Sequence, residues 1–137
     1  AARLALDTAL TLNPGPEDRQ RMALLHQDMK DYAAALSLLA PLTREQPANA
    51  ALLGDLGLCE YLNGRPEEAI AHLRAAIKLD ASSLSAVLTL GSIFAAQKRI
   101  DEELAVYAAA PSTGGEPKLR AVLQRSRKEA LARAAHE

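Results

Sequence analysis

The feature that most constrains this 137-residue chain is that it repeats itself at an interval of 34. Shifted by that interval, Met22, Leu56 and Leu90 superpose, as do Ala23, Gly57 and Gly91, then Leu36, Ile70 and Leu104, and finally Leu39, Leu73 and Tyr107. Small residues recur as well, Ala35 with Ala69 and Ala76 with Ala110. A shift of 33 carries Ala2 onto Ala35, Leu6 onto Leu39 and Pro14 onto Pro47, so residues 1–15 read as the second half of an earlier unit. A unit of this size cannot bury its own apolar face and must stack on its neighbours, which makes the period the mark of a solenoid.

Inside one period the apolar spacing is helical, and punctuation divides each unit into two helices of about thirteen residues. The middle unit is the clearest. Leu53, Leu56 and Cys59 or Glu60 mark a first helix, Asn63-Gly64-Arg65 breaks it, and Pro66 stands at the first turn of a second, where proline is tolerated best. That helix runs through Ala69, Ile70, Leu73, Ala76 and Ile77, and its opening Glu67-Glu68 complements the positive end of the helix dipole. The other turns fall at Met29-Lys30-Asp31 and Gln97-Lys98-Arg99. This spacing predicts a single domain: a half unit over 1–15, full units over 16–49, 50–83 and 84–115, and a last helix over 116–137. The stretch from Pro111 to Pro117, with two prolines and two glycines, ends the array. The helix after it is amphipathic, with Leu119, Val122, Leu123 and Leu131 on one side and a solvated basic face, and it can cover the open end of the stack.

Composition agrees with closely packed helices: 29 Ala and 24 Leu stand against one Phe, three Tyr and no Trp, which starves a sheet of its usual residues. With 16 Lys+Arg against 17 Asp+Glu, a net charge of −1 supplies no field favouring nucleic acid or an anionic membrane. The single cysteine, Cys59, makes no internal disulfide, and no apolar run approaches the roughly 20 residues that cross a bilayer. The chain opens inside a helical pattern (Leu4, Leu6, Leu10, Leu12) and reads as a fragment or a processed product, with its compartment, cytoplasm or periplasm, left open.

Catalytic and metal chemistry find little support. His26, His72 and His136 are too far apart for the usual metal-ligand spacings, and there is no HExxH or CxxC. Cys59 and His72 read as a small buried thiol and a surface histidine rather than a nucleophile and its base. The carboxylates of Glu67-Glu68 and Asp101-Glu102-Glu103 both sit where a helix begins and are accounted for by its dipole. Gly114-Gly115 lacks the spacing of a phosphate loop. The basic set Lys118, Arg120, Arg125, Arg127, Lys128 and Arg133 has no aromatic residue among it on which a base could stack. No catalytic residue, metal or cofactor is expected.

With these residues in place the chain resembles the tetratricopeptide repeats. The middle repeat matches best, with Leu56-Gly57, Ala69, Leu73 and Ala76, and with Ala81 where proline is usual. The first full repeat offers Met22-Ala23, Ala35, Leu39, Leu42 and Pro47, and the third Leu90-Gly91, Phe94, Tyr107 and Ala110. Two departures stand out. Glu103 occupies the small-residue position of the third repeat, and Pro41 falls within a second helix, so a kink or early stop after Leu39-Ala40 is expected. Gly57 and Gly91 each cost roughly 1 kcal/mol of helix propensity relative to alanine, a loss tolerable where a neighbouring helix needs the space.

The resemblance implies an all-α fold, an α–α superhelix of antiparallel helix pairs closed by a C-terminal capping helix. It also implies that the first helix of each repeat lines a concave surface and meets the ligand through five positions. Those are Glu17, Gln20, Leu24, Gln27 and Asp28, then Ala51, Gly54, Leu58, Tyr61 and Leu62, then Ser85, Leu88, Ser92, Ala95 and Ala96. The Lys, Asn and Arg with which chaperone-binding members clamp a terminal carboxylate are absent. Leu58, Leu62 and Leu88 with small floor residues imply instead an apolar groove for a peptide or amphipathic helix of another protein, although the same leucines could pack on neighbouring repeats or the last helix. Two other readings remain open: self-assembly through the exposed face of the N-terminal helix, and a non-catalytic segment of a larger bacterial enzyme or envelope-assembly machine.

Overall fold

The computed structural model describes residues 15–111 and 115–136, in which the chain forms seven helices and no strand: α1 (Pro16–Asp28), α2 (Tyr32–Glu45), α3 (Ala50–Leu62), α4 (Pro66–Leu79), α5 (Leu84–Ala96), α6 (Ile100–Ala109) and α7 (Pro117–Ala135). The half unit expected over 1–15, and with it the surface for self-assembly, lies outside the described residues apart from Gly15. Five of the seven starts have a local cause. Proline occupies the first turn of α1, α4 and α7, and the side chains of Asp31 and Asn49 accept from the backbone N–H of Ala34 and Leu52 at 3.3 and 3.2 Å to cap α2 and α3.

The turn between paired helices is built the same way three times. Lys30 (φ 63°), Gly64 (φ 80°) and Lys98 (φ 58°) are left-handed residues one period apart. In each case that residue's N–H bonds three residues back, to Gln27, Tyr61 or Ala95, while the next N–H reaches five back, to His26, Glu60 or Phe94. This is the Schellman closure, which satisfies carbonyls that a helix end leaves orphaned. Only glycine takes the position without strain, so the two lysines carry a backbone cost that Gly64 avoids.

Helices pack as hairpins, α1 with α2, α3 with α4 and α5 with α6, and successive hairpins join through α2–α3 and α4–α5. The core lies at the junctions. One cluster joins Ala23, Ala35, Leu39 and Leu42 to Leu52, Leu56 and Cys59; a second joins Leu53, Ala69, Ile70 and Leu73 to Leu90, Ile93 and Phe94. In the third, α7 supplies Leu123 and Ala130 against Leu84, Val87 and Tyr107, and so covers the end of the stack.

Three expectations are corrected. Of the kink or early stop expected after Leu39-Ala40, the stop does not occur: α2 continues to Glu45, because Leu42, just beyond the proline, is fully buried in the first cluster and its carbonyl accepts from the N–H of Gln46. Glu103 does more than complement a helix dipole. It is 1% exposed, and Arg133 binds both its oxygens at 2.9 Å while the Tyr107 hydroxyl donates to it at 3.0 Å. Arg133, still partly exposed, is therefore more than a solvated basic residue and ties α7 to α6.

Candidate partner-binding face

The inner side of the stack follows from which helices approach each other. The first helices α3 and α5 meet, whereas the second helices stand apart, leaving grooves of about 500 Å³ between α2 and α4 and about 430 Å³ between α4 and α6. A stack closer along its first helices than along its second bends toward the first, which gives the inner side to α1, α3 and α5.

On α1, Gln20 and Gln27 are half-buried, Leu24 is 39% exposed, and Asp28 lies in solvent at the helix end. On α3, Leu58 is half-buried and Leu62 is 43% exposed. Gly54 opens onto free space, with no atom within 4 Å of where a Cβ would stand. Leu24 and Leu58 are equivalent points one period apart, and Leu58 and Leu62 share a face of α3. Tyr61 is committed elsewhere in part, its half-buried ring packed against the second core cluster. Leu88 is likewise packed against the third cluster, the one α7 completes. Ser92 is exposed and spends its hydroxyl on the carbonyl of Leu88 at 2.8 Å, and Ala95 is half-buried. Apolar exposure is thus concentrated on α1 and α3 and fades on α5.

Two features escape the sequence reading. The Cys59 thiol donates to Gln27 Oε1 at 3.6 Å, which locates the seam between α1 and α3. One turn before Cys59 on the same face stands Asp55, half-buried and without a hydrogen bond or ion pair to any described residue. Burial pushes the Asp55 carboxyl up to about 6, and burial followed by the charges of Asp55 and Glu60 pushes the Cys59 thiol up to about 11, so the thiol is unreactive. A signal existed: Asp55 and Glu60 are the only charges in an otherwise apolar first helix.

Glu60 faces the other way, into the groove between α2 and α4, where its Oε1 lies 2.5 Å from His72 Nδ1. Burial raises its carboxyl above the usual range, opposed by that hydrogen bond. His72 is accordingly bound rather than free on the surface. The hydroxyls nearby, Ser37 and Thr43, donate to the carbonyls of Ala33 and Ala40, so this groove holds no activated nucleophile. Among the described residues no three His, Cys, Asp or Glu side chains gather as metal ligands would, and no described helix is long and apolar enough to cross a membrane.

Antiparallel helix pairs stacked through small residues, with a final helix laid over the open end, define an α–α superhelix. The sequence profile described as tetratricopeptide repeat matches residues 21–84 and again 64–117, and the chain belongs to that family. In fold it is similar to the TPR domain of Sgt2 from Aspergillus fumigatus, with a TM-score of 0.74 at 18% identity over 91% of this chain and 84% of that one. It is also similar to the first TPR of Spaghetti (RPAP3) bound to the HSP90 peptide SRMEEVD, with a TM-score of 0.70 at 15% identity over 85% of this chain and 95% of that one. No curated protein matches the sequence. The family supports a role in protein–protein interaction.

Proposed function

We propose that the chain is a non-catalytic scaffold that holds a peptide or amphipathic helix of another protein against the inner face of α1, α3 and α5. The observation that carries this reading is the row of exposed Leu24 and Leu62 and half-buried Leu58 beside Gly54, where nothing occupies the space of a side chain. Apolar side chains kept on one face of neighbouring helices are the footprint of helix-in-groove recognition. Gln20, Gln27, Asp28 and Ser92 supply polar edges that fix register, and Tyr61, Leu88 and Ala95 form the firmer walls. The peptide carried by the Spaghetti domain supports the mode of action and not the identity of the ligand.

Peptides selected by phage display on the intact chain test the assignment. Burying one leucine contributes about 1.5–3 kcal/mol, so Leu58→Ser with Leu62→Ser should weaken selected peptides by well over tenfold, read by fluorescence anisotropy. Selected peptides that bind the double variant with unchanged affinity would place the site elsewhere.

A further inference from the structure

We propose that the occupant of this face is a cationic amphipathic segment, one lysine or arginine of which pairs with Asp55 while its apolar side chains cover Leu24, Leu58 and Leu62. The inference rests on the interaction role proposed above and adds the charge of the partner.

Five described carboxylates are not exposed: Asp31, Asp55, Glu60, Glu102 and Glu103. Four of them have a basic partner in the structure. His26 Nδ1 lies 3.7 Å from Asp31, His72 2.5 Å from Glu60, Arg99 2.5 Å from Glu102 and Arg133 2.9 Å from Glu103. Asp55 is the exception, with no partner among the described residues. A half-buried charge without a partner is unfavourable, and burial accordingly raises its pKa.

The stack does not need a carboxylate there. One period away the same position holds Arg21, which is turned to Asp18 at 2.9 Å, and Thr89, which donates to the carbonyl of Ser85. The cation at that equivalent position, Arg21, is already paired with Asp18, and the fifteen ligand positions include Glu17 and Asp28 but no lysine or arginine. Along α3 the order is carboxylate, leucine, leucine, since Asp55, Leu58 and Leu62 follow at helical spacing. A partner helix with a basic residue one turn from a leucine row would match that order. Closing the groove would remove water from Asp55, which strengthens a charge-assisted hydrogen bond and makes a neutral or acidic occupant unfavourable.

The test uses three synthetic peptides of about 18 residues with one leucine pattern, long enough for five helical turns, whose remaining positions are Lys, Gln or Glu. Anisotropy titrations of the whole chain should give the Lys peptide an advantage of roughly tenfold or more over the Gln peptide, and exclude the Glu peptide. Asp55→Asn should remove most of that advantage, by weakening the Lys peptide and, with no carboxylate left to desolvate, modestly strengthening the Gln peptide, while Asp101→Asn, at an exposed carboxylate on α6, should change neither. A Lys advantage that survives Asp55→Asn, or a Lys peptide that binds no better than the Gln peptide, overturns the proposal. Failure of the groove itself reads differently: Leu58→Ser with Leu62→Ser would then leave every affinity where it was. Far-UV dichroism of each variant confirms that the helices are retained.

Discussion

Where α3 crosses α4, Gly57 lets the Leu73 side chain occupy the space of a Cβ, and Ala69 is fully buried one turn before Leu73 on α4. Where α5 crosses α6, Gly91 admits the larger Tyr107 in the same way, but Glu103 stands in the place of Ala69. The middle hairpin has another hairpin on each side; its helices cross through apolar surface, and its buried Glu60 is paired with His72 beside the groove. The last hairpin has a hairpin on one side and α7 on the other, and it closes around a buried carboxylate held by Arg133 and by Tyr107, whose phenol is kept protonated by burial and by the neighbouring Glu103. An apolar junction is permissive about what packs on it. A bidentate ion pair is not, and it fixes one orientation of the final helix.

Removing one partner of the clip should break the comparison most sharply. Arg133→Ala leaves Glu103 buried and uncompensated, and should lower stability by about 2–3 kcal/mol in urea unfolding, part of the usual penalty being relieved because the arginine is partly exposed. Glu103→Ala with Arg133→Leu makes the last crossing resemble the middle one and should recover most of that loss. If Arg133→Ala changes nothing, the clip is ornamental and the two hairpins are equivalent.

Next in size are the glycines. A Cβ at Gly91 would fall 2.3 Å from Tyr107 Cε1, while one at Gly57 would meet Leu73 Cγ at 2.7 Å. A flexible leucine yields more readily than an aromatic ring, so Gly91→Ala should lose about 2 kcal/mol and Gly57→Ala about half of that, in the same measurement.

Asp55 sharpens the contrast from the middle hairpin. Its pKa of about 6 in the fold against an ordinary 3.8 means that the folded chain holds the proton more tightly than the unfolded chain. The native state is therefore penalised above about pH 6, and the penalty fades as pH falls toward 4. Asp55→Asn should raise the thermal midpoint at about pH 7.5 by roughly 3 °C, equivalent to about 1 kcal/mol after allowance for partial exposure, and the gain should vanish near pH 4. A gain independent of pH would show that the charge is not its source. The smallest effect belongs to the turns: Lys30→Gly or Lys98→Gly should add about 0.5 kcal/mol, while Gly64→Ala should remove about 1.

Much of this architecture could be read directly from the chain because it rests on spacing. The turns at Lys30, Gly64 and Lys98 repeat with the period, and Pro66 and Pro117 mark helix starts that the structure retains. What could not be read depends on partners distant in sequence. Glu103 and Arg133 are 30 residues apart, and each taken alone resembles an ordinary surface charge at a helix end. The stop expected at Pro41 failed because local propensity yielded to the burial of Leu42. At the candidate face, periodicity places Leu24 and Leu58 together, but only the folded arrangement reveals that Tyr61 and Leu88 are partly engaged with the core and that Asp55 has no counterion among the described residues.

Because two of the cohesive clusters straddle the borders between neighbouring hairpins and the third joins the last hairpin to α7, the molecule has no single centre whose loss would collapse it all at once. Drawn out from its two ends, it should lengthen like a spring and then give way piece by piece, each rupture freeing a segment of about one period, with the salt-linked tail as the first latch to slip.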